Sequence, residues 1–356
     1  MLALDVIILL ASLAVILAGA EVFTNGVEWL GKLLRLGEGA VGSLLAAVGT
    51  AMPETLVPIV AILGGGDAAS EIGIGAILGA PFMLSTLAML LVAVTALIKK
   101  HHNRPNYPEL NINTEILSRD LQFFLIVYSV AVLASFLPNH ALKVGASGFL
   151  IAAYGYYAYQ TIKRDSGAAV EEDEELHPLY LQRIFGGKKA ESEVAAAAEE
   201  SHHSEPNVML VLLQIAIALG LIISGAHLFV GAITEISYAL GIPALILSLI
   251  IAPVATELPE KCNSIIWTSR GKDTLAMGNI TGAMVFQSSV VPTVGILLTP
   301  WILNMTALVS VILAIGSAGM IYTQIKLRGH LTPYILLIGG CFYLVFLALV
   351  ILGFLG

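Results

Sequence analysis

Two short stretches of this chain, Gly49-Thr50-Ala51-Met52-Pro53-Glu54 and Ala255-Thr256-Glu257-Leu258-Pro259-Glu260, set a threonine, a proline and a glutamate at identical spacing inside long apolar runs. A carboxylate at membrane depth is costly and by default marks a functional site. Threonine four residues before each glutamate lies about one helical turn away, on the same face. Proline removes a backbone donor and clashes with the preceding turn, so each helix should kink or break beside its glutamate. Such a break is tolerated in a membrane where the freed carbonyls line a cavity, and those carbonyls are then open to an ion. Carboxylate, hydroxyl and carbonyl oxygens from two such helices make an oxygen cage. Hard divalent cations such as Ca2+ take about six to eight oxygen ligands, whereas Zn2+ favours the His or Cys that both motifs lack. The chemistry expected is reversible binding of a hard divalent cation, with Na+ or H+ as counter-ion.

The elements that must hold these groups are membrane helices. Hydrophobic residues make up 57% of the chain and charged residues 12%, against about 45–50% and about 25% in soluble domains. Mean hydropathy is +0.89. The fold class expected is all-α: a polytopic membrane protein of about ten transmembrane helices, since the apolar runs are too long and unbroken for the alternating strands of an outer-membrane barrel. The segments fall at about 4–30, 39–63, 72–98, 121–137, 141–162, 208–235, 240–268, 275–299, 302–325 and 331–355. They divide the chain into a five-helix repeat over 1–162, a linker over 163–207 and a second five-helix repeat over 208–356. The linker holds eleven acids against five Lys or Arg, a net of −6 out of the chain's −8. It reads as a solvated segment with one short amphipathic stretch near Leu176 to Phe185. Cys262 and Cys341 both lie in apolar segments and give no disulfide framework.

Sliding the second half over the first with an offset of 206 places Gly19-Ala20 on Gly225-Ala226, Phe23 on Phe229, Thr50 on Thr256, Pro53 on Pro259 and Glu54 on Glu260. After a three-residue length change, Gly75-Ala76-Ile77-Leu78-Gly79-Ala80 falls on Gly278-Asn279-Ile280-Thr281-Gly282-Ala283. Units of five spans must sit in opposite orientations, which is the inverted-repeat plan of secondary transporters. The repeat also argues that the first apolar segment is a retained helix, although Ala18-Gly19-Ala20 has the look of a signal-peptidase site. Orientation follows from Lys and Arg: the odd-numbered connections carry nearly all of them, and the others only Lys143. Both termini are therefore expected outside an inner or plasma membrane, with the linker in the cytoplasm.

The two blocks resemble the alpha repeats of the cation/calcium exchanger superfamily, whose signature reads approximately G-T-S-L-P-E followed by G-N-x-x-G-S-N. The resemblance covers both halves and implies alternating access, with the first and sixth helices sliding against a fixed eight-helix core. Position by position, it implies that Glu54 and Glu260 are the paired calcium-binding glutamates, that Thr50 and Thr256 contribute to the ion sites and that Asn279 is the asparagine of the second motif. This chain departs at Ala51, Ala76, Ala80 and Pro81 in the first repeat and at Glu257, Ala283 and Met284 in the second. Thr281 and Gln287 remain as nearby oxygen donors. The site expected is lopsided, with three carboxylates and few neutral ligands. Glu257 gives it a group able to carry protons, so proton coupling stands beside sodium coupling.

Glu257 also lies four residues before Lys261, the spacing of an ion pair along a helix, and Lys261 would then be a built-in cation competing with the substrate. Glu21 and His227 occupy equivalent positions in the two repeats and read first as ordinary polar contacts. Trp29, Trp267 and Trp301, near span ends, read as interfacial anchors. The gathered reading is a secondary-active antiporter exchanging Ca2+ or a similar divalent cation for Na+ or H+. A proton-coupled exchanger of another cation, or a cation channel using the same acidic ring, is the alternative. No enzyme is expected, because nothing supplies a substrate-docking motif. The expected partners are the lipid bilayer and the transported ions, with no cofactor and no nucleic acid; the oligomeric state is left open.

Overall fold

A computed structural model describes residues 2–34, 51–99, 104, 106–165, 177–185 and 206–355. All regular structure among them is helical: α1 (Leu2–Leu33), α2 (Met52–Gly64), α3 (Asp67–Met83), α4 (Met89–Ile98), α5 (Thr114–Leu133), α6 (His140–Asp165), α7 (Tyr180–Phe185), α8 (Val208–Leu240), α9 (Ala244–Thr256), α10 (Leu258–Ser269), α11 (Asp273–Leu298), α12 (Met305–Arg328) and α13 (Pro333–Ile351). One π-helical stretch, Leu84–Ala88, joins α3 to α4 without interrupting the rod. Among the described residues, seven helices are long and apolar enough to cross a membrane, and α2 and α9 are shorter apolar pieces. Large apolar side chains such as Ile7, Leu10, Met209, Ile312 and Leu344 face outward. That is a membrane surface, since soluble monomers rarely expose so much apolar area.

Local chemistry sets the helix ends. Asn113, Asn207 and Asn304 cap α5, α8 and α12 by accepting first-turn backbone N–H bonds. Gly65 and Gly66, both at positive φ, turn the chain from α2 into α3, where a side chain would be strained.

The repeat is visible in the packing. α1 lies along α8, and a Cβ on Gly19 would press Ile222 and the Ala218 carbonyl, while one on Gly225 would press Ile16 and the Ser12 carbonyl. With the offset of 206 these are the same contact made from each side. α3 packs on α9 just as closely, Gly75 against the Leu245 carbonyl and Gly79 against the Leu249 carbonyl and Pro253. Gly278 and Gly282, their counterparts on α11, meet almost nothing among the described residues. The stretch equivalent to α9, residues 38–50, lies outside those residues.

Two expectations change here. Trp301 is fully buried, holds φ 47° and donates its indole N–H to the Ala131 carbonyl at 2.9 Å. Trp29 is buried too, donating to the His177 carbonyl at 2.9 Å. Neither is an interfacial anchor: each ring finds a carbonyl inside the protein, which a buried indole needs. Arg104, expected as a loop charge, is enclosed in an ion pair with Asp273 at 2.6 Å and also donates to the Thr268 carbonyl. This clamp fastens the connection before α5 to the start of α11.

Candidate cation-binding site

The two proline motifs place equivalent residues at the starts of α2 and α10, and the second separates α10 from α9. Ala51, which precedes α2, has φ −83° and ψ 4°, and Glu257, between α9 and α10, has φ −89° and ψ 9°. Pro53 and Pro259 then stand in the first turns of α2 and α10, where a missing N–H leaves no bond unmade. Glu54 and Glu260 follow in those first turns, at the positive ends of the two helix dipoles. Glu257 occupies the break itself. The expected break beside Glu260 is present, two residues before Pro259; beside Glu54 a helix starts at Met52, and the residues before Ala51 lie outside the described ones.

These three carboxylates meet. Glu54, Glu257 and Glu260 are all buried, and each offers an oxygen within 4.8 Å of the other two. Both oxygens of Glu54, Oε2 of Glu257, Oε2 of Glu260 and Oε1 of Gln287 are buried without a hydrogen-bond partner. Buried carboxylates normally take donors, and one left bare is expensive. Ca2+ binds oxygens at about 2.3–2.6 Å, so its coordination sphere spans about 4.6–5.2 Å and one ion can touch all three groups. Among the described residues no His joins them, and Cys262 is exposed. Among the described residues the donor set is hard, anionic and made of oxygens.

The neutral groups expected at the site divide. Gln287 donates Nε2–H to Glu257 Oε1 at 2.6 Å, leaving its own carbonyl oxygen beside the carboxylates. Thr256 bonds back to the Ala252 carbonyl at 3.2 Å through its hydroxyl hydrogen. Asn279 donates to the Glu260 carbonyl and to Ser264 Oγ, bracing α10 against α11. Thr281 goes elsewhere: its hydroxyl donates to Asp120 Oδ2 at 2.9 Å, in a cluster with Tyr157 and Arg119. Two residues apart on a helix means about 200° of rotation, so Thr281 and Asn279 face opposite sides of α11. Thr50 lies outside the described residues.

Lys261 differs most from its sequence reading. Among the described residues it makes no ion pair with Glu257 or any other carboxylate. Its buried ammonium instead donates to the Pro253 carbonyl at 2.9 Å, the Val254 carbonyl at 3.3 Å and Met83 Sδ at 2.9 Å. Asp120, which the sequence analysis did not single out, is buried inside α5. Its position one residue before an apolar run was the available signal. Glu21 accepts a hydrogen bond from Tyr180 at 2.6 Å, and His227 pairs with the Ile223 carbonyl of its own helix.

Within the linker, residues 177–185 are bound to α1 and α8. Asn25 and Trp29 reach the His177 carbonyl, Gln214 accepts from Leu181 N–H at 2.9 Å, and Gln214 in turn donates to Asn25 and to the Val22 carbonyl. Leu179 is buried against Trp29 and Val211.

The family model described as "Sodium/calcium exchanger protein" matches residues 4–163 and 210–352, both halves and not the linker. The CaxA protein of Alkalimonas amylolytica is 22% identical over 303 residues, which cover 85% of this chain and 83% of that one. Among solved structures, the H+/Ca2+ exchanger CAX superposes with a TM-score of 0.64 at 18% identity, covering 98% of this chain and 82% of that one. The sodium-calcium exchanger NCX_Mj superposes with a TM-score of 0.56 at 18% identity, covering 98% and 99%.

Proposed function

This chain belongs to the sodium/calcium exchanger protein family, and from that premise we propose that it is a secondary-active antiporter that moves Ca2+, or a divalent cation of similar size, against Na+ or H+. The observation that carries the reading is the buried trio of Glu54, Glu257 and Glu260 with its bare oxygens. Two unit charges about 4.8 Å apart repel by roughly 3.5 kcal/mol at an effective dielectric of about 20. A site holding three such groups is unfavourable when empty and is relieved by any cation that enters. Exchange follows from this: the loaded site can change its side of access with either ion aboard, and the empty site resists doing so. Gln287 holds Glu257 toward the trio and adds a neutral oxygen.

Proton coupling has a specific observation in its favour. Three carboxylates gather at the site, while Thr281, one of the neutral donors expected there, is turned toward Asp120. A carboxylate binds a proton with one oxygen, whereas Na+ needs several neutral ligands around it. Full-length protein in liposomes, with pH and Na+ gradients imposed separately, tests both readings. Ca2+ uptake is expected only when one gradient is imposed, and Glu54→Gln or Glu260→Gln should abolish it. Uptake that survives either substitution, or flux with no gradient, would refute the proposal.

A further inference from the structure

The trio has a fourth charged neighbour that the exchange reading leaves without a task. Lys261 lies one residue past Glu260, is buried, and pairs with no carboxylate among the described residues. Its three partners are the Pro253 and Val254 carbonyls, in the last turn of α9, and the sulfur of Met83. The end of α9 presents the negative pole of its dipole, and its Pro253 carbonyl, which also accepts the Glu257 N–H at 3.2 Å, shares that end with the Val254 carbonyl. In a helix broken inside a membrane, that end is where a monovalent cation would bind. The ammonium already holds that place, and its tether is a single residue long.

We propose that Lys261 is a resident cation that fixes the charge stoichiometry of exchange, an inference that rests on the antiport reading above. Three carboxylates and one ammonium sum to −2, the charge that one divalent ion neutralises. Two monovalent counter-ions neutralise it equally. Because moving net charge through a low-dielectric interior is unfavourable, both loaded forms are neutral and the cycle exchanges one divalent ion for two monovalent ones without moving charge. Without Lys261 the site carries −3, the end of α9 loses its ammonium, and a third monovalent ion enters on the counter-ion leg.

The test uses the full chain in liposomes with Ca2+ as the probe and the membrane potential clamped by K+ and valinomycin. Each uncompensated charge changes steady-state accumulation by about fifty-fold per roughly 100 mV. The wild-type protein should change by less than about twofold over that range. Lys261→Met should become strongly potential-dependent, inside-positive potential favouring uptake, and Lys261→Arg should behave as wild type. A potential-dependent wild type, or a Lys261→Met protein as indifferent as wild type, would overturn the proposal while leaving antiport intact. Absence of divalent uptake in the wild type under every gradient fails the antiport reading instead. A binding arm then decides on Lys261: Ca2+-induced thermal stabilisation in detergent should set in at lower Ca2+ concentration in Lys261→Met than in the wild type, because the carboxylates then carry −3 with no ammonium beside them. Equal behaviour of the two proteins in that arm would also overturn it. Should Lys261→Met not fold, the wild-type potential dependence alone remains decisive.

Discussion

Replacing Glu54 by glutamine should make the cation-free protein more stable and the transporter inactive. Glu54 accepts no hydrogen bond through either side-chain oxygen, and it sits within 4.8 Å of two other carboxylates. Each of those pairs carries roughly 3.5 kcal/mol of repulsion at an effective dielectric of about 20. The first turn of α2 returns about 0.3–2 kcal/mol to the charged form through the helix dipole, and the Lys261 ammonium offsets a further part. Glutamine keeps the shape and removes both repulsions, so the net gain should be about 1–3 kcal/mol, after the charged form's own compensation is allowed for. That corresponds to an apparent melting point a few degrees higher. The assay is thermal unfolding in detergent, run in chelator and again with excess Ca2+. In chelator the variant should melt above wild type; with Ca2+ the order should reverse, because the wild type gains binding energy that the variant lacks. A variant that melts several degrees below wild type in chelator would refute the reasoning, because Glu54 would then be a structural carboxylate.

Two further substitutions probe the frame around the site. Arg104→Met leaves Asp273 charged in an enclosed position and should lower stability by about 3–5 kcal/mol, whereas pairing it with Asp273→Leu should recover most of that loss; unfolding midpoints in detergent measure both. Gln214→Leu removes the acceptor for Leu181 N–H and the donors to Asn25 and Val22, so the 177–185 segment should come away from α1 and α8. Faster amide exchange over those residues, with the membrane helices unchanged, is the expected readout.

The likeness of Thr50-x-x-Pro53-Glu54 to Thr256-x-x-Pro259-Glu260 was enough to expose the duplication, and the duplication carried the fold, because helix periodicity and proline chemistry are local. The meeting of Glu54 with Glu260 was legible for the same reason. Side-chain destinations were harder. The rule that pairs Glu257 with Lys261 describes one exposed helix face, yet here the chain end of α9 competes for the ammonium with two carbonyls. Thr281 was grouped with Asn279 by sequence proximity, although 200° of helical rotation already separated them. Arg104 and Asp120 look like boundary charges in a hydropathy trace; only tertiary structure shows Asp273, Thr281 and Tyr157 waiting for them. Trp29 and Trp301 were misread alike, since an indole needs a carbonyl and a sequence does not say which one.

The matched contacts of Gly19 with Ile222 and of Gly225 with Ile16 have a further meaning. In a two-fold dimer, residue i of one subunit touches j of the other while j touches i, so the face is self-complementary. α1 and α8 meet in that isologous manner inside one polypeptide. Each half thus carries a surface fitted to the other half, as two separate subunits would. Joining the halves through residues 163–207 turns what would be an encounter between molecules into an intramolecular one, at an effective concentration set by the linker. Once joined, the halves no longer had to be identical: one could keep alanine at 51 while the other took glutamate at 257, and only one needed a lysine.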